Sequence, residues 1–484
     1  MNLLVFLPML FPMIGAFVIY AFKENNKTLK NVIIALCVGM SLVSSLINCF
    51  IGDLSLNVLK ISDSLSVSFA VDGLAKFFSV AISFVWLLVT IYTFEYIKHE
   101  KNENRFYTFS LTTLAMLLAL TYSNNLFTMY LSFELVTLLS MPLVLHSLSN
   151  ESINAAKKYL FYSIGGAFVA LFGLFLLISY SGDLPFSTYG GHSLFANFEG
   201  NKTLYEIGVF MLVVGFATKA GMFPLHGWLP TAHPVAPSPA SALLSGVITK
   251  AGVICIIRVV YYFVGPSFIS GTWVQYAWLS LATFTVFLGS LMAFLEKTFK
   301  KRLAFSTVSQ VSYILCGLAL LNDIAFTGAL LHVASHMLIK VCLFLFAGKV
   351  IYKYDYHKVD ELKGIGKKMP IATWAYTFAS LGLIGIPLTS GFISKWYLAN
   401  GALQSGVSVF NYLVCIILLV SAIFTAGYLL PVSINGFIVS GEKFEKDKES
   451  KLMIIPMIIL AALILLIGIN YQPLLEIISS VIGK

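Results

Sequence analysis

Charge is what this sequence has least of: of 484 residues only 11% are Asp, Glu, Lys or Arg, against 58% hydrophobic. A soluble domain must coat itself in polar side chains, so a mean hydropathy of +0.88 excludes one as the main body. Cysteine is scarce too. Cys37, Cys49, Cys255, Cys316, Cys342 and Cys415 lie in or beside apolar runs with no C-x-x-C pair among them, which gives neither zinc nor iron–sulfur spacing and leaves buried thiols. A Walker loop and a G-x-G-x-x-G after a strand are missing, so no cofactor is expected here and any redox centre must belong to a partner. The net charge of +9 forms no aromatic-interleaved stripe, which argues against nucleic acid.

What the chain has instead is apolar runs near the roughly 20 residues that a helix needs to cross a bilayer. They predict fourteen spans, at 2–22, 30–51, 72–94, 107–122, 124–146, 159–180, 205–227, 240–264, 273–295, 302–320, 325–350, 371–400, 411–438 and 452–472. The first has no basic n-region or cleavage signature and reads as a retained span rather than a signal peptide. With fourteen spans, nearly all loop Lys and Arg gather on one side, in the stretches 23–30, 98–105, 157–158, 297–302, 349–368 and 443–451. Only Lys60, Lys202 and Lys484 fall on the other. Positive charge in short loops marks the cytoplasmic side, so both termini are expected outside an inner (plasma) membrane.

Beyond the loop stretches just given, six basic residues fall inside the predicted spans: Lys76, Lys219, Lys250, Arg258, Lys340 and Lys395. A charge at a helix centre costs about 2.5–3.5 kcal/mol on insertion scales and asks for a reason. Lys76 and Arg258 lie near span ends and are expected to snorkel. Glu134, Lys219, Lys250 and Lys340 are too deep for that and read as functional, as does Lys395. His332 and His336 precede Lys340 at i, i+4 and i+8, along one helix face. Stacked imidazoles and an amine can pass a proton through intervening water, since histidine donates and accepts near neutral pH.

Two spans are interrupted, the seventh at Ala220-Gly221-Met222-Phe223-Pro224 and the twelfth at Pro387-Leu388-Thr389-Ser390-Gly391. Irregular backbone at membrane depth is tolerated only where it is buried in protein or lines a wet cavity. A pair of broken helices five spans apart points to inverted repeats with an ion site between them. Lys219 precedes one break and Lys395 follows the other. The expected architecture is an all-α membrane domain over 1–484: N-terminal helices in 1–106, repeat one in 107–264, repeat two in 273–438, and a last helix at 452–472.

At KAGMFPLHGWLPTAHPVAPSPASALLSGVITKAGV, supported by VDGL at 71–74, SFE at 132–134, AFSTVSQVSY at 304–313, HMLIK at 336–340 and SGFISK at 390–395, the chain resembles the antiporter-like membrane subunits of respiratory complex I, Mrp-type sodium/proton antiporters and group 4 membrane-bound hydrogenases. The resemblance covers nearly the whole chain. It implies a midplane proton path in which Glu134 pairs with Lys219, Lys250 and the His332/His336/Lys340 stripe continue, and Lys395 ends the path, with His226, Pro224 and Pro387 in support. Lys395 and the AHPVAPSPASALLSGV stretch are more like the Mrp D-type and hydrogenase subunits. The implied partners are other membrane subunits of the same complex, the lipid bilayer, and protons as cargo.

Three functions compete on the residues. One is a proton-translocating, non-redox subunit of a translocating oxidoreductase; the second is a sodium/proton antiporter subunit without redox chemistry. The third is a scaffold whose charges only hold helices together.

Overall fold

The computed structural model describes residues 2–21, 26–52, 54–62, 65–196, 198–438 and 449–483. Of the charges that set the orientation, Lys23, Lys443, Lys446, Lys448 and Lys484 lie outside these.

The chain begins with α1 (Leu7–Ala21) and α2 (Lys27–Phe50), then a hairpin of β1 (Leu54–Ser62) and β2 (Leu65–Val71), then α3 (Gly73–Tyr96), α4 (Glu103–Tyr122), α5 (Leu126–Val144) and α6 (Asn150–Ser181). There follow α7 (Lys202–Ala220), α8 (Ser238–Val264), α9 (Trp273–Leu295), α10 (Phe299–Ala319) and α11 (Asp323–Tyr354). The last five are α12 (Pro370–Ile384), α13 (Ser390–Leu403), α14 (Phe410–Ile438), α15 (Lys451–Ile469) and α16 (Gln472–Ile482). Polar caps start several of them: Asp72 accepts from Ala75 N–H, Asn125 from Thr128 N–H and Asn322 from Ala325 N–H.

Among the described residues, eleven helices are long and apolar enough to cross a bilayer. The predicted spans 107–122, 302–320 and 371–400 are not in that set, each for a physical reason. α4 carries Glu103, Arg105 and several hydroxyls. α10 is rich in Lys, Ser, Thr and Gln, yet every residue in it except Lys301 is buried, so its solvent is protein rather than lipid. The span 371–400 is broken into α12 and α13, each too short alone. α8 and α11 are fully enclosed over their most apolar stretches, whereas α2 and α14 are only one third buried there. The polar α10 thus stands with α8 and α11 at the centre, and the greasier helices form the rim.

Two expectations need correction here. The segment expected to be an outer loop holds the antiparallel hairpin, pairing Leu54 with Val71 and Leu56 with Phe69; its alternating LSLNVLKIS and LSVSFAV pattern is that of strands. Arg258 does not snorkel: it is buried, and its guanidinium forms an ion pair with Asp72 and donates to Thr121 O at 3.2 Å. Several of the charges that set the orientation are also buried. Lys30 is buried against Glu103 at 2.6 Å and Lys349 against Glu449 at 2.5 Å, while Lys300 and Arg302 are buried on backbone carbonyls. The six cysteines are unpaired thiols, with Cys255, Cys316 and Cys342 buried and Cys37, Cys49 and Cys415 half-buried.

Candidate functional site

Both predicted breaks are present. α7 ends at Ala220, and Gly221 takes a left-handed φ of +85° that turns the chain away. The chain runs through Pro224 into the short helix Leu229–Val235, and Trp228 Nε1 donates back to Thr218 O at 2.9 Å. α12 ends at Ile384 with Gly385 at φ +91°, and after Pro387 the chain resumes as α13. The last carbonyls of a helix have no intrahelical donor and carry its negative end. Here Lys395 of α13 reaches back and donates to Leu383 O at 2.6 Å and Ile384 O at 2.9 Å.

Lys250 lies just after a stretch of π-helical turn, Leu244–Ile248, a wider winding common at functional positions. Its amine donates to Ser245 O at 3.0 Å and meets His336 Nδ1 at 2.6 Å. His336 and His332, one turn apart on α11, have ring centroids 6.1 Å apart. The His332 ring stacks on Tyr313 of α10 at 5.4 Å, and its Nδ1 is 2.9 Å from Ser394 Oγ, the residue before Lys395. The Lys395 amine sits 5.0 Å over the same Tyr313 ring. A line of groups therefore runs from buried Lys250 through buried His336, His332, Tyr313 and Ser394 to half-buried Lys395. Lys340, the next turn of α11, branches to Ser306 and to Leu303 O at 3.0 Å, and Tyr428 donates to Ser306 at 2.8 Å. The Nε2 atoms of both histidines and the amide of Gln310 are buried without a protein partner. Buried polar atoms require partners, and water is the one that fits such a row.

Lys219 and Glu134 are held by a second set of contacts. The expected direct ion pair is not made: the Lys219 amine donates to Thr137 Oγ1 at 2.9 Å and to the Tyr159 hydroxyl, while Glu134 accepts from Tyr130 at 3.2 Å. Thr137 lies one turn from Glu134 on α5, so the amine is docked one turn short of the carboxylate. Gly252 of α8 lets the helices touch here, since a Cβ on it would lie 3.3 Å from Lys219 Cβ. His226 is half-buried against Phe223 at 5.9 Å with Lys158 as its charged neighbour, outside the line of bonded groups.

Tyr159, Thr137, Ser306, Tyr313, Ser394 and Tyr428 went unseen in the sequence, because a hydroxyl in a membrane helix is cheap and common and only its contacts distinguish it.

A family model described as NADH:quinone oxidoreductase/Mrp antiporter, TM, matches residues 123–425, and one for the N-terminus of chain 5 of NADH-ubiquinone oxidoreductase (complex I) matches residues 59–107. The chain is 33% identical to NADH-quinone oxidoreductase subunit N of Desulforudis audaxviator, over 77% of this chain and 73% of that one. It is 28% identical to a Na(+)/H(+) antiporter subunit of Alkalihalophilus pseudofirmus, over 98% and 96%. Its fold is that of a chain in the archaeal membrane-bound sulfane sulfur reductase, with a TM-score of 0.89 at 21% identity, covering 99% of this chain and 97% of that one.

Proposed function

Since the chain belongs to the NADH:quinone oxidoreductase/Mrp antiporter membrane family, we propose that it is the proton-translocating, antiporter-like subunit of a multisubunit energy-converting membrane complex. The observation that carries this reading is the line from buried Lys250 through buried His336 and His332 to half-buried Lys395. A row of amines and imidazoles with wet gaps moves protons, whereas a scaffold would neutralise its charges in pairs. The chain crosses the membrane fourteen times with both termini outside, and the stretches 107–264 and 273–438 are inverted five-span repeats, each with its broken helix. Other membrane subunits complete the complex and supply the driving energy, because this chain carries no redox motif.

The Lys219 station couples the line to Glu134. In this mechanism the amine alternates between the uncharged hydroxyls of Thr137 and Tyr159 and the Glu134 carboxylate, holding its proton near the carboxylate and releasing it away from it. Glu134→Gln should assemble normally and lose coupled proton uptake, measured in vesicles bearing the whole complex. Wild-type uptake by that assembled variant favours the scaffold. The second reading, a sodium/proton antiporter subunit, draws on the near full-length match to the Alkalihalophilus antiporter chain; sodium-dependent uptake in the same vesicles separates the two.

A further inference from the structure

The face of α11 that carries His332, His336 and Lys340 continues beyond them. Further steps of four bring up Phe344, Gly348 and Tyr352. At Phe344 the neighbour is His233, on the short helix Leu229–Val235. Its imidazole lies against the phenyl ring with centroids 4.9 Å apart, is fully buried, and has neither ring nitrogen hydrogen-bonded. At Gly348 the neighbour is Ser238, so close that a Cβ on the glycine would lie 2.5 Å from Ser238 Cβ; the serine Oγ is also buried without a partner. At Tyr352 the face reaches a cavity of about 650 Å³ that Tyr96, His99, Glu100 and Asp355 also line.

Lys300 ties this stretch to Lys340. It sits on α10 one turn before Leu303, whose carbonyl holds the Lys340 amine. Its own amine donates to Ala236 O at 2.5 Å and Pro234 O at 3.4 Å, carbonyls that follow His233 in the chain. Glu100, at the cavity, is its opposite charge. The charges facing His233 are thus Lys300 and Lys340, both basic. An imidazole walled in with two unsatisfied nitrogens is costly unless water reaches it. Of the described histidines, His233 and His146 have both nitrogens buried and unbonded, and of these two it is His233 that has Lys340 as a charged neighbour, whereas His146 has Arg105.

We propose that His233 is a proton-relay station joining the midplane line at Lys340 to the basic-rich face, with entry at the Glu100 cavity. This deepens the proposed function and rests on it. A proton delivered by water on the cavity side adds to one ring nitrogen, and the proton on the other nitrogen leaves through water toward Lys340. Only N–H and O–H bonds are made and broken, and the ring returns to neutral with its tautomer exchanged. The flanking Lys300 and Lys340 charges keep the imidazolium short-lived, so His233 passes protons and does not store them. Gly348 leaves the width that Ser238 and its water need.

The test uses the whole complex in inside-out vesicles. His233→Phe, which plugs the site with an apolar ring, should assemble with normal subunit content and lose about tenfold or more in proton uptake, the scale of a general acid–base group. If the phenyl ring prevents assembly, His233→Gln fills the place without titrating and should lose uptake likewise. Independently of pumping, Ser238→Cys in a background with the six native cysteines replaced by serine should react with silver ion, small enough for a single-file water path, from the basic-rich face and not from the other. Wild-type uptake by either assembled His233 variant, or no silver reaction from the basic-rich face, overturns the proposal. A sided silver reaction together with normal pumping by Glu134→Gln keeps the wet route and overturns the transport reading instead.

Discussion

Lys250 Nζ lies 2.6 Å from His336 Nδ1, and this contact joins the two fully enclosed helices, α8 and α11. With the amine donating, Nδ1 accepts and the ring proton sits on Nε2, the nitrogen with no protein partner. The two ends of the imidazole then play different parts, one facing a fixed amine and the other facing whatever water connects it to His332.

In the proposed proton line amine and ring act as one station, so Lys250→Ala and His336→Ala should each depress proton uptake by a similar factor, and the double variant should be no slower than the worse single one. Initial rates in vesicles, normalised to subunit content, read this directly. Losses that multiply would mean that the two groups serve separate routes.

Lys395 caps the end of α12, and two substitutions separate that from its proposed place in the proton line. Lys395→Met leaves Leu383 O and Ile384 O without their donor, at about 1–3 kcal/mol for each orphaned group; it should lower both the melting temperature and the yield of assembled complex. Lys395→Arg can still cap the break, yet a guanidinium does not give up its proton. It should assemble and fail to transport. Transport at the wild-type rate by Lys395→Arg would remove residue 395 from the proton line.

Much of this site is legible in sequence because a charge in an apolar run is expensive and therefore conspicuous. Lys219, Lys250, Lys340 and Lys395 all stand where intramembrane cost singles them out, and the four-residue spacing of His332, His336 and Lys340 revealed their shared face. What stayed hidden falls into two kinds. Tyr159 and Ser394 are neutral and look like ordinary helix residues until their partners are placed. α10 and the hairpin are opposite failures of the hydropathy signal: α10 is polar because protein surrounds it, and 54–71 alternates with period two in a stretch where only helices and loops were sought. Arg258 shows the limit of reading position alone, since its partner Asp72 lies far away in sequence.

Outside the membrane helices, Asp183 closes the junction between the hairpin and α5, accepting from Asn125 Nδ2 at 2.8 Å and from Phe127 N–H at 3.2 Å. Burial pushes its carboxyl from 3.8 up to about 6, and the N–H donors of Phe127 and Ser66 only partly offset this. A raised folded-state value means that the native form binds the proton more tightly. Its stability contribution is therefore complete below about pH 4 and is lost as pH rises through about 6. The melting temperature in detergent should fall over that window, and Asp183→Asn should flatten the fall. An unchanged pH profile in the variant would assign the dependence to other groups.

The proposed orientation puts Lys358 and Lys60 on opposite faces. In a background with the native cysteines replaced, Lys358→Cys should be labelled by an impermeant maleimide only in inside-out vesicles, and Lys60→Cys only in intact cells. Labelling of position 358 from the outside of intact cells would invert the topology and the direction assigned to every step.

The Lys219 station makes the sharpest demand. Its amine is docked on Thr137 and Tyr159, and the Tyr159 hydroxyl is itself 2.7 Å from Ser140 Oγ. Moving the amine from Thr137 to Glu134 takes about one helical turn, roughly 5 Å. At about 4 Å from the carboxylate the attraction would reach about 4 kcal/mol at an effective dielectric near 20, enough to hold the proton in place. In the proposed mechanism Tyr159 is therefore the counterweight that keeps the amine in its releasing position. Tyr159→Phe keeps the ring and its packing on Trp228, at 4.7 Å, while removing the hydroxyl. A hydrogen bond to a charged group is worth about 1.5–3 kcal/mol, so the resting position should shift toward Glu134 and pumping should slow by about tenfold or more. Tyr159→Phe should assemble normally, and adding Glu134→Gln should remove the trap without restoring coupling. Coupled uptake at the wild-type rate by the assembled Tyr159→Phe complex would show that the tyrosine does not set the position of Lys219.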